Sequence, residues 1–122
     1  MEKINYKNLR AKQQEIFNFQ KVAGLLADYG FNCIKLADDW CGADFLAYKF
    51  DGVETLHVQL KGRITIDEKY RKIPNLYMAF PNHGDWYLIP HLKLIEIIEQ
   101  VSPKWLQSDS WKIKGGVLSR KQ

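Results

Sequence analysis

A chain of 122 residues with 46% hydrophobic and 13% aromatic side chains can bury one core unaided, and neither a linker nor a repeat divides it into a second domain. Its two cysteines, Cys33 and Cys41, match neither a zinc spacing nor a disulfide framework, no apolar run approaches the ~18 residues of a membrane span, and the first residues contain no signal-peptide core; a soluble cytoplasmic protein with no membrane partner is expected. The formal charge of +4 is modest but clustered: Lys3, Lys7, Arg10 and Lys12 open the chain, Arg63, Lys69, Arg71 and Lys72 lie in its middle, and Lys112, Lys114, Arg120 and Lys121 close it.

In chain order, Ile16, Phe19, Val22, Ala23, Leu26 and Tyr29 recur at helical spacing and predict a helix from about residue 10 to 29, with Gly30 as its stop. An apolar strand from Phe31 to Ala37 follows, then a loop, 38–42, that places Trp40 at the rim of whatever lies beyond. Two strands flank Asp51-Gly52, a dipeptide that suits a two-residue type I′ turn, and Ile64-Thr65-Ile66 extends the second of them. Residues 67–72 read as a loop or one helical turn. Leu76 to Phe80 and Trp86 to Ile89 form a second hairpin around the Gly-containing loop 81–85. Pro90 opens a helix striped by Leu92, Leu94, Ile95, Ile97, Ile98 and Val101, broad enough to suit a homodimer contact, and Ser102-Pro103 ends it. Trp111 to Ile113 and Val117-Leu118 suggest a terminal hairpin around Gly115-Gly116; the tryptophans are otherwise expected in the core or at its edge. The whole is one α+β domain, 1–122, with basic terminal segments.

The Asp51-Gly52 turn carries the functional reading because it sets a register. With those two residues as the loop, Phe50 faces Val53, Lys49 faces Glu54, Leu46 faces His57 and Asp44 faces Gln59. Strand side chains alternate, so Asp44, Gln59 and Lys61 fall on one face, while Phe45, Ala47, Leu56, Val58 and Leu60 form the core face. Taken singly, an Asp at a strand start is a turn residue and a strand Gln or Lys a solvated one. Together they gather an acid, an amide oxygen and an amine.

Asp44 in Gly42-Ala43-Asp44 and the triplet Gln59-Leu60-Lys61 resemble the PD-(D/E)xK nuclease superfamily, whose signature is an acid at the start of one strand and an acid-any-Lys triplet on the next. No Pro precedes Asp44, and Gln59 replaces the second acid. The resemblance spans roughly residues 12 to 100. It implies a restriction-endonuclease-like fold, a central mixed sheet flanked by helices, and Mg²⁺-dependent hydrolysis of phosphodiesters, with Mn²⁺ as a substitute metal. Asp44, Gln59 and the backbone carbonyl of Leu60 would be the oxygen ligands that a hard cation prefers, and Lys61 would stabilise charge on the phosphate. The superfamily often adds a side chain from the first helix, for which Glu15 and Gln20 are the candidates. Losing a charge at Gln59 implies one weakly held metal or a slow enzyme. Arg63, Lys69, Arg71 and Lys72, interleaved with Tyr70, are the expected nucleic-acid contacts, cations for phosphates and the ring for an unpaired base. DNA is the expected partner, with RNA as the alternative. The competing reading is a module that keeps the nuclease fold and binds nucleic acid or protein without efficient catalysis.

Overall fold

The computed structural model describes residues 1–101 and 117–120. After a short 3-10 turn, Tyr6–Asn8, come helix α1 (Ala11–Ala27) and strands β1 (Phe31–Trp40), β2 (Ala43–Lys49), β3 (Thr55–Leu60) and β4 (Ile64–Asp67). A second 3-10 turn, Glu68–Tyr70, precedes β5 (Leu76–Asn82), β6 (Asp85–Pro90), helix α2 (His91–Val101) and β7 (Val117–Arg120). Five strands form one mixed sheet in the order β1-β2-β3-β5-β6; β3 and β5 are parallel and the other neighbours antiparallel. A parallel pair requires a crossover, and residues 61–75 make it, carrying β4 and the 3-10 turn. Ile64–Asp67 therefore leaves β3 and pairs antiparallel with β7, and Val117-Leu118 faces Asp67 and Ile66. The other half of the expected terminal hairpin, 111–113, lies outside the described residues.

Alternation along the strands assigns the two helices to opposite faces. Phe45, Ala47, Val58 and Ala79 pack with Val22 and Leu26 of α1, whereas Met78 and Phe80, one position out of phase with Ala79, pack with Leu94, Ile95 and Ile98 of α2 and with Ile66. The fold is thus α+β with helices on both sides of a mixed sheet. The broad stripe of α2 divides: Leu94, Ile95 and Ile98 are buried, Leu92 and Ile97 exposed. Among the described residues no helix is long and apolar enough to cross a membrane.

The β2–β3 register is the one the sequence implies, with Phe45 opposite Val58, Leu46 opposite His57 and Tyr48 opposite Thr55. The turn is not. Gly52 N–H donates to the Lys49 carbonyl and Lys49 N–H to the Glu54 carbonyl, so residues 50–53 form a four-residue loop, with positive φ at Gly52 but not at Asp51. Asp51 instead accepts Val53 N–H through Oδ1, a local Asx bond. Four residues have the same parity as two, which is why the register survives. The positive-φ pairs of two-residue turns occur elsewhere, at Cys41-Gly42 between β1 and β2 and at His83-Gly84 between β5 and β6.

Gly42 and Gly52 share a left-handed backbone but not a neighbourhood. A Cβ on Gly42, at φ 87°, would stand 3.1 Å from side-chain atoms of Tyr70 and Leu76, while one on Gly52, at φ 76°, would meet nothing within 4 Å. Gly52→Ala should therefore cost only backbone strain, about 1 kcal/mol. Gly42→Ala adds a clash with packed side chains and should cost about 2–4 kcal/mol in denaturant-induced unfolding. Equal losses would show that the Tyr70 contact is yielding.

Candidate functional site

Asp44 is where β2 loses both of its neighbours. Toward β1, Lys35 faces Phe45 and Trp40 faces Ala43, so residues 36–39 bow outward opposite Asp44 alone. Toward β3, the ladder stops at Phe45 and Val58. Hydrogen-bonded pairs recur every second residue of an antiparallel ladder, and counting from Lys49 and Glu54 the next beyond Phe45 and Val58 would join Leu60 N–H to the Ala43 carbonyl. Asp44 Oδ2 accepts that N–H at 2.8 Å instead. A strand N–H points within the sheet, so the carboxylate occupies the fork between β2 and β3 rather than standing above either face.

The bulge also changes which side of the sheet β2 addresses. Phe45 packs with α1, but Ala43, two residues earlier, packs with Tyr70 and Leu76, and Leu76 is in phase with Met78 and Phe80 on the α2 side. Strict alternation would keep residues 43 and 45 together; a bulge re-aims them. Asp44 consequently lines a cleft of about 300 Å³ whose other walls are Lys12, Glu15 and Asn18 of α1, Lys35, Asp38 and Asp39 of the bowed β1, and Lys61 with Gly62 after β3.

Charge in the cleft is dense and mixed. Partial burial pushes the Asp44 carboxyl above its ordinary value; the Leu60 N–H and Lys61 oppose that rise, and Asp39 and Glu15 add to it. Asp39 is itself held from two sides: Oδ1 accepts Gly42 N–H at 2.7 Å and Oδ2 accepts the Tyr70 hydroxyl at 3.2 Å. That clamp ties the turn entering β2 to the crossover. On the far wall, Asn18 donates to the Tyr6 hydroxyl at 2.9 Å, so the segment before α1 is anchored beside the cleft.

Of the residues expected in the site, Asp44, Lys61 and Glu15 meet at the cleft, with Leu60 as a wall. Gln59 does not line it. Val58 and Leu60 pack on the α1 side, so Gln59 projects to the other face opposite Met78; it is 3% exposed, and its Oε1 is buried without a hydrogen-bond partner among the described residues. Asp44, Gln59 and Lys61 do not share one face: Gln59 keeps the alternation of β3, while Asp44, opposite the β1 bulge, and Lys61, beyond the end of β3, line the cleft. Gln20 is exposed and lies outside the cleft lining, so of the two helix candidates only Glu15 reaches it.

The middle basic cluster lies outside the cleft lining as well. Arg71 is 3.5 Å from Glu99 of α2, and Lys69 stands 4.9 Å above the Tyr70 ring; Arg63 and Lys72 are at the surface. Tyr70 is 7% exposed, wedged against Gly42 and bonded to Asp39, so its ring is a structural strut and not a surface for bases. Sequence reasoning passed over Asp39 and Lys35 as site residues and counted Lys12 only among the terminal charges. The available signal was Asp38-Asp39, an acidic pair closing an apolar strand just before Asp44.

The donor set suits a hard divalent cation in type and charge, since Asp44, Glu15, Asp39 and the Leu60 carbonyl are all oxygens and the acids crowd one another. Among the described residues no three His, Cys, Asp or Glu side chains stand close enough to hold a metal ion by themselves. Mg²⁺ keeps most of its water and needs only one or two carboxylates. Compared with known proteins, the sequence matches no family model and no curated protein.

A raised carboxyl pKa has a definite signature in stability. The folded state holds the Asp44 proton more tightly than the unfolded chain, so stability falls as pH rises from the ordinary 3.8 through the folded value, and the loss is complete above it. Asp44→Asn keeps an oxygen for the Leu60 N–H and removes the charge. Its melting temperature should exceed that of the parent at pH 7, and the gain should vanish as the pH is lowered to about 3.8. A pH-independent difference would mean that the crowding of Asp44 by burial, Asp39 and Glu15 is absent in solution.

Proposed function

We propose that the chain is a divalent-cation-dependent nuclease acting on DNA, with Asp44, Lys61 and Glu15 at its centre. The observation that carries this reading is the convergence of those three side chains on one cleft at a strand fork, where Asp44 is withdrawn from both ladders. Asp44 spends Oδ2 on Leu60 N–H, which leaves Oδ1 to face a cation, and Glu15 is the second carboxylate within the cleft. A bound cation would polarise the phosphorus–oxygen bond and acidify an attacking water.

The protein's own groups do the rest. Lys61 is a compact cation with three N–H donors, suited to a non-bridging phosphate oxygen whose negative charge grows as water adds and the P–O bond to the leaving nucleoside breaks. Lys12 and Lys35 offset the cleft acids and draw the polyanion toward them. Asp39, fixed by Gly42 and Tyr70, keeps the β1 bulge open and so keeps Asp44 available. The superfamily resemblance of Asp44 and the Gln59-Leu60-Lys61 triplet agrees with these roles, with Gln59 as a buried support beneath the fork rather than a metal ligand.

In Mg²⁺ or Mn²⁺ the purified chain should nick plasmid or cut single-stranded circular DNA, and chelation should stop it. Lys61→Ala and Asp44→Ala should each lower the rate by about 100-fold or more, with Glu15→Gln less severe. Undiminished cutting by Lys61→Ala would overturn the proposal. The burial of Gln59 off the cleft lining favours one competing reading, a nucleic-acid-binding module without efficient catalysis. Binding that weakens steeply between about 50 and 200 mM salt, with no cleavage in either metal, would select it.

A further inference from the structure

Helix α2 covers only part of its side of the sheet. Leu46 lies between Phe45 and Ala47, and His57 between Leu56 and Val58, all four of which belong to the α1-side core; Leu46 and His57 therefore face the other way, together with Ile34, the partner of Leu46 on β1. On this three-strand surface Ile34 and Tyr48 are exposed and Leu46 and His57 half-buried. Trp40 lies over it. Its ring centroid lies 5.2 Å from that of the His57 imidazole, with the planes tilted by 31°, and the residue is nevertheless 55% exposed.

Position gives this ring its meaning. Trp40 follows Asp38 and Asp39, both in the cleft wall, and its partner across the turn, Ala43, directly precedes Asp44. An indole in contact with His57 yet more than half exposed, whose cross-strand partner Ala43 adjoins Asp44, can offer a π-surface to a nucleobase whatever its identity. In a duplex that π-face is covered by the neighbouring base pairs; only an unpaired base offers it. The lysines of the cleft supply the phosphate contacts that such stacking accompanies.

We propose that Trp40, in contact with His57, is a stacking subsite for an unpaired base across the Cys41-Gly42 turn from the phosphate held at Asp44 and Lys61, so that the substrate class is nucleic acid with unpaired nucleotides rather than intact duplex. This rests on the nuclease reading for its polarity, but binding tests it separately from cleavage. Fluorescence anisotropy in EDTA, at ~50 mM salt, would compare a labelled 20-nucleotide single strand with its duplex on the full chain and on Trp40→Ala and Trp40→Phe. Trp40→Ala should weaken single-strand binding by about ten-fold and duplex binding by less than two-fold, with Trp40→Phe restoring most of the single-strand affinity. Equal losses on both polymers, no loss on either, no binding of either polymer by the parent chain, or a Trp40→Ala variant that alters the sedimentation of the free protein instead of its binding, would each overturn the subsite; the last would assign the surface to a second copy. Single-strand binding that responds to Trp40 in a protein that cuts nothing would sustain the subsite and sink only the nuclease. Cleavage that persists with binding indifferent to Trp40 would do the reverse.

Discussion

The hydrogen bond from Leu60 N–H to Asp44 Oδ2 is the contact on which the candidate site depends. A backbone donor at the end of a ladder must find an acceptor, and here it takes a side chain in place of the neighbouring strand's carbonyl. That exchange has two consequences. It ends the β2–β3 pairing one step early, which opens the fork, and it holds a carboxylate in the opening. A carboxylate acceptor makes the bond a charge-assisted one, and it opposes the rise in the Asp44 pKa that burial and the neighbouring acids cause.

The rest of the cleft is arranged around that fork. The outward bow of residues 36–39 makes room opposite Asp44, and Asp39 closes the bow by gripping Gly42 N–H and the Tyr70 hydroxyl. Gly42 has to be glycine there, since its left-handed backbone brings it against the Tyr70 ring. Tyr70 belongs to the crossover that the parallel β3–β5 pairing demands, so sheet topology and site geometry are linked through one side chain. Helix α1 completes the wall with Glu15 and Lys12 while burying Val22 and Leu26 one turn or more further along.

Charge is distributed unevenly between the cleft and the sheet surface beyond it. Acids and lysines are concentrated on the α1 side of the fork. On the α2 side, beyond the reach of that helix, the strands present Ile34, Leu46, Tyr48, His57 and Trp40. The turn Cys41-Gly42 is the divide between the two chemistries.

Much of this was legible in the chain itself. Helical spacing defined α1 and α2, the apolar alternation of Phe45, Ala47, Leu56 and Val58 defined a core face, and the even parity of the loop after Lys49 put Leu46 opposite His57. Asp44 and Lys61 could be named because strand alternation about a tight turn is a local feature, whereas Glu15 entered only beside Gln20 as a helix candidate that the superfamily resemblance implied. Sequence alone did not determine where alternation stops. A bulge is set by which backbone groups find partners in three dimensions, and that decided that Asp44 turns to the cleft while Gln59 keeps the alternation of β3 and lies under the sheet. It also decided that Tyr70 is buried as a strut and Trp40 left exposed, although both are aromatic residues beside acidic or basic ones in the sequence. Burial depends on what packs across from a residue, and for both rings that partner comes from a distant part of the chain: Gly42 for Tyr70, His57 for Trp40.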